Sequence, residues 1–143
     1  PDLKKLTELT NVGDQRTLKT YLKYLEDCGL IIGLSSTGKG LRSLEKPEKI
    51  FLNNANLIYA FASNANIGTI RETFFLNTLI AGHTVKAPLK GDFLVDDTFL
   101  FEIGGKNKDF SQIKDIENSF LAVDDMEKGF GCKIPLWLFG FLY

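Results

Sequence analysis

The sequence has few of the residues that build metal, haem or covalent-catalysis sites. Only two cysteines, Cys28 and Cys132, and one histidine, His83, occur in 143 residues. Neither cysteine has a second cysteine or a histidine at metal-ligand spacing, which argues against a zinc site. No serine or cysteine pairs with the histidine in a recognisable pattern, so covalent hydrolase chemistry is unsupported. We expect both cysteines to be free, buried thiols.

Long apolar runs and an excess of one charge sign are also missing. The longest apolar stretch, residues 134–143, falls well short of the ~20 residues that a membrane span needs. No secretory signal sequence is present, so we expect a cytoplasmic protein with no membrane partner. The formal net charge of −1 excludes a whole-molecule attraction to nucleic acid, and any such contact would need a local basic patch.

The length and the first residues indicate how the chain is organised. A chain of 143 residues suits one domain, or two small modules that share a core. It begins at Pro1 rather than Met, and helix-like sequence follows at once. We therefore expect a piece of a longer protein whose N-terminal partner domain is missing.

Residues 1–63 follow the element order of a winged helix. Leucines spaced by three predict a short helix over 3–11, and Asp14 is suited to cap a second helix that ends at Gly29. Two strands, 30–32 and 49–52, flank a Gly-rich loop and predict a hairpin, after which a further helix covers 53–62. The buried stripe of the second helix is predicted to comprise Leu18, Tyr21, Leu22 and Leu25.

Three basic residues, Arg16, Lys19 and Lys23, lie on the opposite side of this second helix. We call this side of the helix the basic face. The three residues are spaced by three and four, so they point the same way. In a winged helix such a face enters a DNA groove while the loop of the hairpin approaches the phosphates. A solvated helix face is the plainer alternative, and many winged helices bind protein instead. The candidate nucleic-acid contacts are Arg16, Lys19, Lys23, Lys39 and Arg42.

The Gly-rich loop also matches the spacing of a phosphate-binding loop, G-x-x-x-x-G-K, over residues 33–39. The next position of that motif needs a hydroxyl to hold Mg²⁺, and Gly40 stands there instead. A helix starting after the loop would meet Pro47 within about two turns. We therefore interpret this loop as the wing of the hairpin and expect no ATP site in it.

Residues 64–143 predict a mixed α/β sheet domain. A helix is expected over 67–79, then strands at 83–87, 91–95 and 98–103. Residues 108–116 are predicted to form a helix. The nearly continuous apolar runs at 120–123 and 135–141 are typical of strands that are buried on both faces.

The strongest candidate site combines acids from the two strands of the 91–103 hairpin. Asp92 opens one strand, Glu102 lies near the end of the next, and Lys106 follows. If the hairpin loop has three residues, 96–98, the two acids lie opposite each other and point to one face. Two carboxylates can hold Mg²⁺, a lysine can assist an attacking water, and Glu72 from the preceding helix can add a third acid. Ordinary strand-end charges are the alternative.

Six segments of the chain resemble the C-terminal region of a prokaryotic AAA-type ATPase family. That region consists of a winged helix followed by a domain of unknown function, the DUF4143 domain. The resemblance covers nearly the whole chain and rests on residues 18–31, 46–51, 70–79, 90–93, 101–106 and 133–142.

The resemblance implies a restriction-endonuclease-like fold related to PD-(D/E)xK nucleases. Asp92 and Glu102 take the two acid positions of the motif, and Glu72 is the helix acid. It also implies an N-terminal ATPase domain as partner, and ATP binding only through that domain. The motif lysine belongs two residues after the second acid, where Gly104 stands, whereas Lys106 lies about 13 Å from Glu102 along a straight strand.

Three functions follow from these expectations. The first is a nuclease-like, nucleic-acid-associated module with catalytic Asp92, Glu102 and Lys106 and a Mg²⁺ site at Glu72, Asp92 and Glu102. The second is a catalytically silent module that docks the ATPase or another protein. The third is a DNA-binding regulator that acts through the winged helix alone.

Overall fold

The computed structural model describes residues 2–36 and 47–142, which form a mixed α/β fold. Its helices are α1 (Leu3–Thr10), α2 (Gln15–Asp27), α3 (Ala55–Phe61), α4 (Ile67–Leu79) and a C-terminal 3₁₀ helix (Leu136–Phe141). Its strands are β1 (Ile31–Leu34), β2 (Lys49–Leu52), β3 (Val85–Lys86), β4 (Phe93–Val95), β5 (Phe99–Gly104), β6 (Ser119–Val123) and β7 (Lys133–Pro135).

The first two helices begin where acidic side chains satisfy their free backbone N–H groups. Asp2 accepts from the amides of the first turn of α1, and Asp14 does the same for α2, as predicted. Gly29 ends α2 with a positive φ of 73°, a conformation that favours glycine. The buried side of α2 differs from the prediction, because Tyr21 and Leu25 are exposed. Leu18 and Leu22 are buried as expected, and the third buried residue of α2 is Glu26.

Two sheets follow from the strand pairing. β1 and β2 form a two-stranded antiparallel sheet, and the other strands form a five-stranded sheet in the order β3-β4-β5-β6-β7. Pairing is antiparallel from β3 to β5 and parallel from β5 to β7, so β5 joins two kinds of ladder. The outer strands are short: β3 has two residues, and β7 has three and ends in Pro135.

Two predictions for the C-terminal half are wrong. Residues 108–116 form successive turns instead of a helix, with Ile113 N donating to Phe110 O and Ile116 N to Ile113 O. Buried Ile113 anchors this segment, and the Asp109 side chain accepts from Ser111 N, a local bond that competes with a helix.

The second error is the apolar run over 135–141, which forms the 3₁₀ helix after Pro135 instead of a strand. Leu136 and Phe139 are buried three residues apart, the spacing of a 3₁₀ helix, whereas Trp137, Leu138 and Phe141 remain exposed. The expectation for the cysteines is half right, since Cys28 and Cys132 are free but both are exposed.

One hydrophobic core joins the two predicted segments. Ile32, Leu34 and Phe51 of the hairpin are buried in the same cluster as Phe75 of α4 and Phe93 of β4. The Phe75 and Phe93 rings stack with their centroids 5.3 Å apart. A smaller cluster of Leu18, Leu22 and Ile31 holds α2 on the hairpin. The shared core fixes β2 beside α4 and β4, and this packing sets the position of Lys49. No helix in the described ranges is long and apolar enough to cross a membrane.

Candidate functional site

The β4–β5 hairpin fixes the position of Asp92 against the strand that carries Glu102. Phe93 pairs with Phe101 and Val95 with Phe99, so the loop is residues 96–98 and has the three residues that the sequence argument set as its condition. Asp92 lies just before β4 and bonds to β5 at the residues on either side of Glu102. Asp92 N donates to Phe101 O at 2.8 Å, and Asp92 Oδ2 accepts from Ile103 N at 2.8 Å. The Asp92 carboxylate is therefore fixed against the main chain of β5.

The loop holds this register through two aspartates with left-handed backbone. Asp96 and Asp97 have φ values of 51° and 56°, which Asp tolerates better than most residues. Thr98 N donates to Val95 O at 3.1 Å and closes the turn. Asp96 Oδ1 accepts from Thr84 N at 2.9 Å, which fastens the turn to the residue before β3.

Glu102 is the most buried acid of the site. Only 2% of it is exposed, and its Oε1 atom accepts from Lys108 Nζ at 2.7 Å. Its Oε2 atom is buried and has no hydrogen-bond partner in the described residues. A buried carboxylate oxygen without a partner is costly, so this oxygen is suited to bind a cation or a hydrogen-bond donor.

The lysine that reaches the acids is Lys108, whereas the predicted Lys106 is not brought to them. Lys106 is exposed and lines a separate cavity beside Asp125 and Phe130. Gly104 explains how Lys108 reaches Glu102. A Cβ atom at position 104 would lie 2.4 Å from Lys108 Cγ and 2.5 Å from Lys108 Cβ. The lysine chain thus occupies the space that a side chain at position 104 would need. The sequence did carry a signal for this arrangement. Gly104 stands at the position of the motif lysine, and Lys108 follows it four residues later.

The protonation of Lys108 follows from its partners. The hydrogen bond that Lys108 donates to Glu102 raises the pKa of Lys108, and the charges of Glu102, Asp92 and Glu72 add to the effect against the cost of burial. Lys108 is therefore an ammonium ion across the neutral range. It can neutralise negative charge but is not suited to take a proton from water.

A second lysine enters the site from the N-terminal hairpin. Lys49 Nζ lies 3.3 Å from Asp92 Oδ1, 3.3 Å from Asp92 O and 3.5 Å from Glu72 Oε2. It also lies 5.2 Å from the centre of the Phe93 ring, within cation–π range. Sequence reasoning missed Lys49, because nothing local marks a residue 43 positions before Asp92 as its neighbour. We call Glu72, Asp92 and Glu102, together with Lys49 and Lys108, the acid cluster.

Glu72 contributes the third carboxylate from the middle of α4. Its neighbours Thr73 and Phe75 are fully buried against the sheet, which places Glu72 at the margin of the core. Partial burial raises the pKa of Glu72, and the negative charge of Asp92 raises it further, while Lys49 acts in the opposite direction. Lys49 and Glu72 also line a cavity of about 560 Å³ between α2, β2 and α4. The acid cluster is thus adjacent to a space that a ligand can enter.

The oxygen atoms of the site fit a magnesium ion in part. Within residues 2–36 and 47–142, no three Asp, Glu, His or Cys side chains lie close enough to hold a metal ion together. The three acids therefore do not form the three-ligand site expected from the sequence. Mg²⁺, however, is commonly bound through one or two carboxylates, with water and substrate phosphate completing the shell. Among the described residues of the site, Glu102 offers one unpartnered carboxylate oxygen for such a set.

The basic face lies on the solvent side of α2. Arg16 and Lys23 are exposed and Lys19 is partly so. Lys23 pairs with Asp27 on the same helix, four residues later, which lowers the free positive charge. Lys39 and Arg42, the two loop contacts expected from the sequence, lie outside the described residues.

Comparison with known proteins identifies no relative. The chain matches no family model, no curated protein and no solved structure.

Proposed function

We propose that this chain is a nuclease-like module that cleaves phosphodiester bonds with the help of Mg²⁺. The observation that carries the proposal is the pairing of buried Glu102 with Lys108, with Asp92 held against the main chain of the same strand. Two carboxylates and one ammonium group are the residues that a metal-assisted hydrolysis needs.

Each described residue has a distinct role in this proposal. Asp92 and Glu102 hold the metal ion, and Lys108 stabilises the negative charge that develops on the phosphate. Glu72, whose pKa is raised mainly by burial, is the carboxyl proposed to exchange a proton during the reaction. A bound Mg²⁺ ion would supply Lewis acidity and a water of lowered pKa.

The biological setting remains the one that the resemblance implies. We place the module at the C-terminal end of a cytoplasmic AAA-type ATPase, in a restriction-endonuclease-like fold. An ATPase domain is its proposed first partner and would bring the ATP site, and DNA is its proposed substrate. The sheet order, in which an antiparallel hairpin is followed by a parallel strand, supports this proposal.

The test compares two lysines that lie two residues apart. We would measure Mn²⁺ binding by calorimetry and Mg²⁺-dependent cleavage of single- and double-stranded DNA. Lys108→Met should lower the cleavage rate by about 100-fold or more, because the variant loses the positive charge that stabilises the negative charge of the transition state. Lys106→Met, the matched control, should stay within about twofold. Equal loss in both variants, or in neither, would contradict the role of Lys108.

A transplanted lysine provides a second variant that keeps the positive charge. Gly104→Lys combined with Lys108→Gly moves the amine to the usual motif position and removes the chain that Gly104 accommodates. The double variant should regain at least about tenfold of the rate that Lys108→Met loses. Circular dichroism would show that both variants are folded.

A silent interaction module is the second candidate, and the charge balance of the acid cluster favours it. The three carboxylates already face two lysines, with contacts of 2.7 Å to 3.5 Å. Such a cluster can be a structural ion-pair network that needs no metal. Absence of Mn²⁺ binding in the native chain, with unchanged binding isotherms in Asp92→Asn, would favour this function over the nuclease.

A further inference from the structure

We propose that the cavity between β1 and β3 is a second ligand site, which binds a small organic ammonium ion with an apolar chain through the buried carboxylate of Glu26. The cavity has a volume of about 440 Å³, within the usual range of small-molecule sites. It contains no residue of the acid cluster, so this site and the proposed function stand or fall separately.

The cavity lies where the two sheets meet and then separate. Ala87 N donates to Ser35 O at 3.2 Å, so the residue after β3 contacts the residue after β1. Away from this bond, β1 and residues 83–85 line the cavity together. Its apolar walls are formed by Ile31, Ile32, Leu34, Ile80 and Val85. Such walls suit the hydrocarbon part of a ligand.

The carboxyl group of Glu26 lies on the cavity side of β1. Leu30 O accepts from Asn53 N, and bonds to β2 alternate along an antiparallel ladder, so the N–H of Gly33 points away from β2. Glu26 Oε1 accepts from that N–H at 3.3 Å. Because Gly33 and Glu26 both line the cavity, the carboxyl group sits at the edge of β1 that borders it.

Glu26 lacks a positively charged partner in this position. The residue is only 8% exposed, and its Oε2 atom is buried with no hydrogen-bond partner in the described ranges. Burial raises the pKa of Glu26, while the amide of Gly33 and the charge of Lys23 act in the opposite direction. Among the described residues that line the cavity, none is a lysine or an arginine. An ammonium group would give this carboxylate a charge-assisted hydrogen bond.

The β3 side of the cavity also favours a ligand that donates hydrogen bonds. His83 Nδ1 lies 2.7 Å from Asp96 Oδ2, and this hydrogen bond lowers the pKa of Asp96. Asp96 is therefore the ionised acceptor and Nδ1 the donor, which leaves Nε2 of the neutral ring as an acceptor. His83 lines the cavity, as Glu26 does. A carboxylate and an imidazole acceptor select an ammonium ion over a carboxylate or a phosphate.

The experiment is an NMR titration of the chain at pH 7 with hexylammonium, hexanol and hexanoate, which share one hydrocarbon chain. Hexylamine titrates near the lysine value of ~10.4, so it is charged at this pH. Hexylammonium should shift the backbone amide signals of Gly33, Thr84 and Val85, and should bind at least about tenfold more tightly than hexanol. Hexanoate should not bind, because its carboxylate would repel that of Glu26.

Glu26→Gln removes the charge and keeps the size of the side chain. This variant should bind hexylammonium at least about tenfold more weakly than the native chain and should bind hexanol within about twofold of it. Glu8→Gln, at an exposed position of α1, is the control and should bind all three probes as the native chain does.

Selective binding of hexylammonium by the native chain, lost in Glu26→Gln, supports the site. Equal binding of hexylammonium and hexanol would overturn it, because the carboxylate would then not select the ligand. Unchanged selectivity in Glu26→Gln, shifts confined to residues outside the cavity, or no binding of any probe would also overturn it. The comparison of the three probes uses the native chain, so it decides the matter even where Glu26→Gln does not fold.

Discussion

The acid cluster and the basic face of α2 are both groups of charged residues, but they differ in burial and in the number of structural elements that contribute to them. The cluster takes its members from β2, α4, the β4–β5 hairpin and the segment after β5, and all of them are at least half-buried. The basic face comes from a single helix, with Arg16 and Lys23 in solvent. Charges assembled from distant elements are strongly coupled to folding and to each other, whereas charges on one exposed face contribute little to stability.

The largest effect on stability should follow from removing Lys108. Lys108→Met leaves Glu102 buried without its ion-pair partner, which should cost about 3 kcal/mol; the low end applies because Lys108 is itself about a third exposed. Urea denaturation at pH 7 measures this loss in the free energy of unfolding. Lys106→Met should change the free energy of unfolding by less than about 0.5 kcal/mol. Similar urea midpoints for the two variants would show that the ion pair between Lys108 and Glu102 does not stabilise the fold.

A methyl group at position 104 should have the next largest effect. Gly104→Ala brings a Cβ within 2.8 Å of three carbon atoms of Lys108, including its own Cβ, so the backbone of the 105–108 segment must shift. We expect a loss of about 1 to 2 kcal/mol in thermal or urea unfolding. Gly82→Ala is the control, since a Cβ there meets no atom within 4 Å. An unchanged free energy of unfolding in Gly104→Ala would mean that the Lys108 side chain can reach Glu102 without the space beside position 104.

Glu26 allows buried and exposed charges to be compared within a single helix, because it is the buried charge of α2. Burial raises the pKa of Glu26 against the amide of Gly33, which donates to its Oε1 at 3.3 Å. The folded state thus binds the proton more tightly than the unfolded state, so this residue makes the protein more stable as pH falls from neutral through the raised pKa.

Glu26→Gln should therefore stabilise the protein at pH 7 by about 1 kcal/mol and remove that part of the pH dependence. Denaturation at pH 7 and at pH 5 measures both changes. Glu8→Gln, on an exposed position of α1, is the control. A destabilised Glu26→Gln would mean that the carboxylate makes a contact worth more than its burial costs.

The smallest effect on stability is expected for the basic face. Arg16→Ala with Lys19→Ala should alter the free energy of unfolding by less than about 0.5 kcal/mol. If this face contacts DNA, the same double variant should lower the salt dependence of duplex binding by about one unit of slope for each lost phosphate contact. Unchanged binding and slope would remove α2 from the nucleic-acid interface and leave only the loop residues as candidates.

Features encoded by neighbouring residues were predictable from the sequence. The helix over 67–79, the strand over 49–52 and the cap at Asp14 follow from periodicity and local hydrogen bonding, and the structure has them at those positions. The joint orientation of Asp92 and Glu102 was conditional on a three-residue loop, and the structure has that loop at residues 96–98.

The failures have one physical cause, which is dependence on distant packing. Lys108 reaches Glu102 only because the chain turns back over Gly104, and no repeat in the sequence records that path. Lys49 joins the cluster because the hairpin shares a core with α4 and β4. The run over 135–141 is as apolar as a buried strand, yet it forms a 3₁₀ helix that leaves Trp137 exposed. Hydrophobicity alone does not distinguish these structures.

The short outer strands of the five-stranded sheet have a consequence for self-association. A chain seeking to extend the sheet would find two residues of β3 on one side and three residues of β7 on the other. On the β7 side, Pro135 has no N–H group to offer to an incoming strand. Edges this short give little template for strand addition, which is the usual route from a sheet to fibrous aggregates. The protein can therefore keep an apolar mixed sheet and still resist polymerisation through its edges.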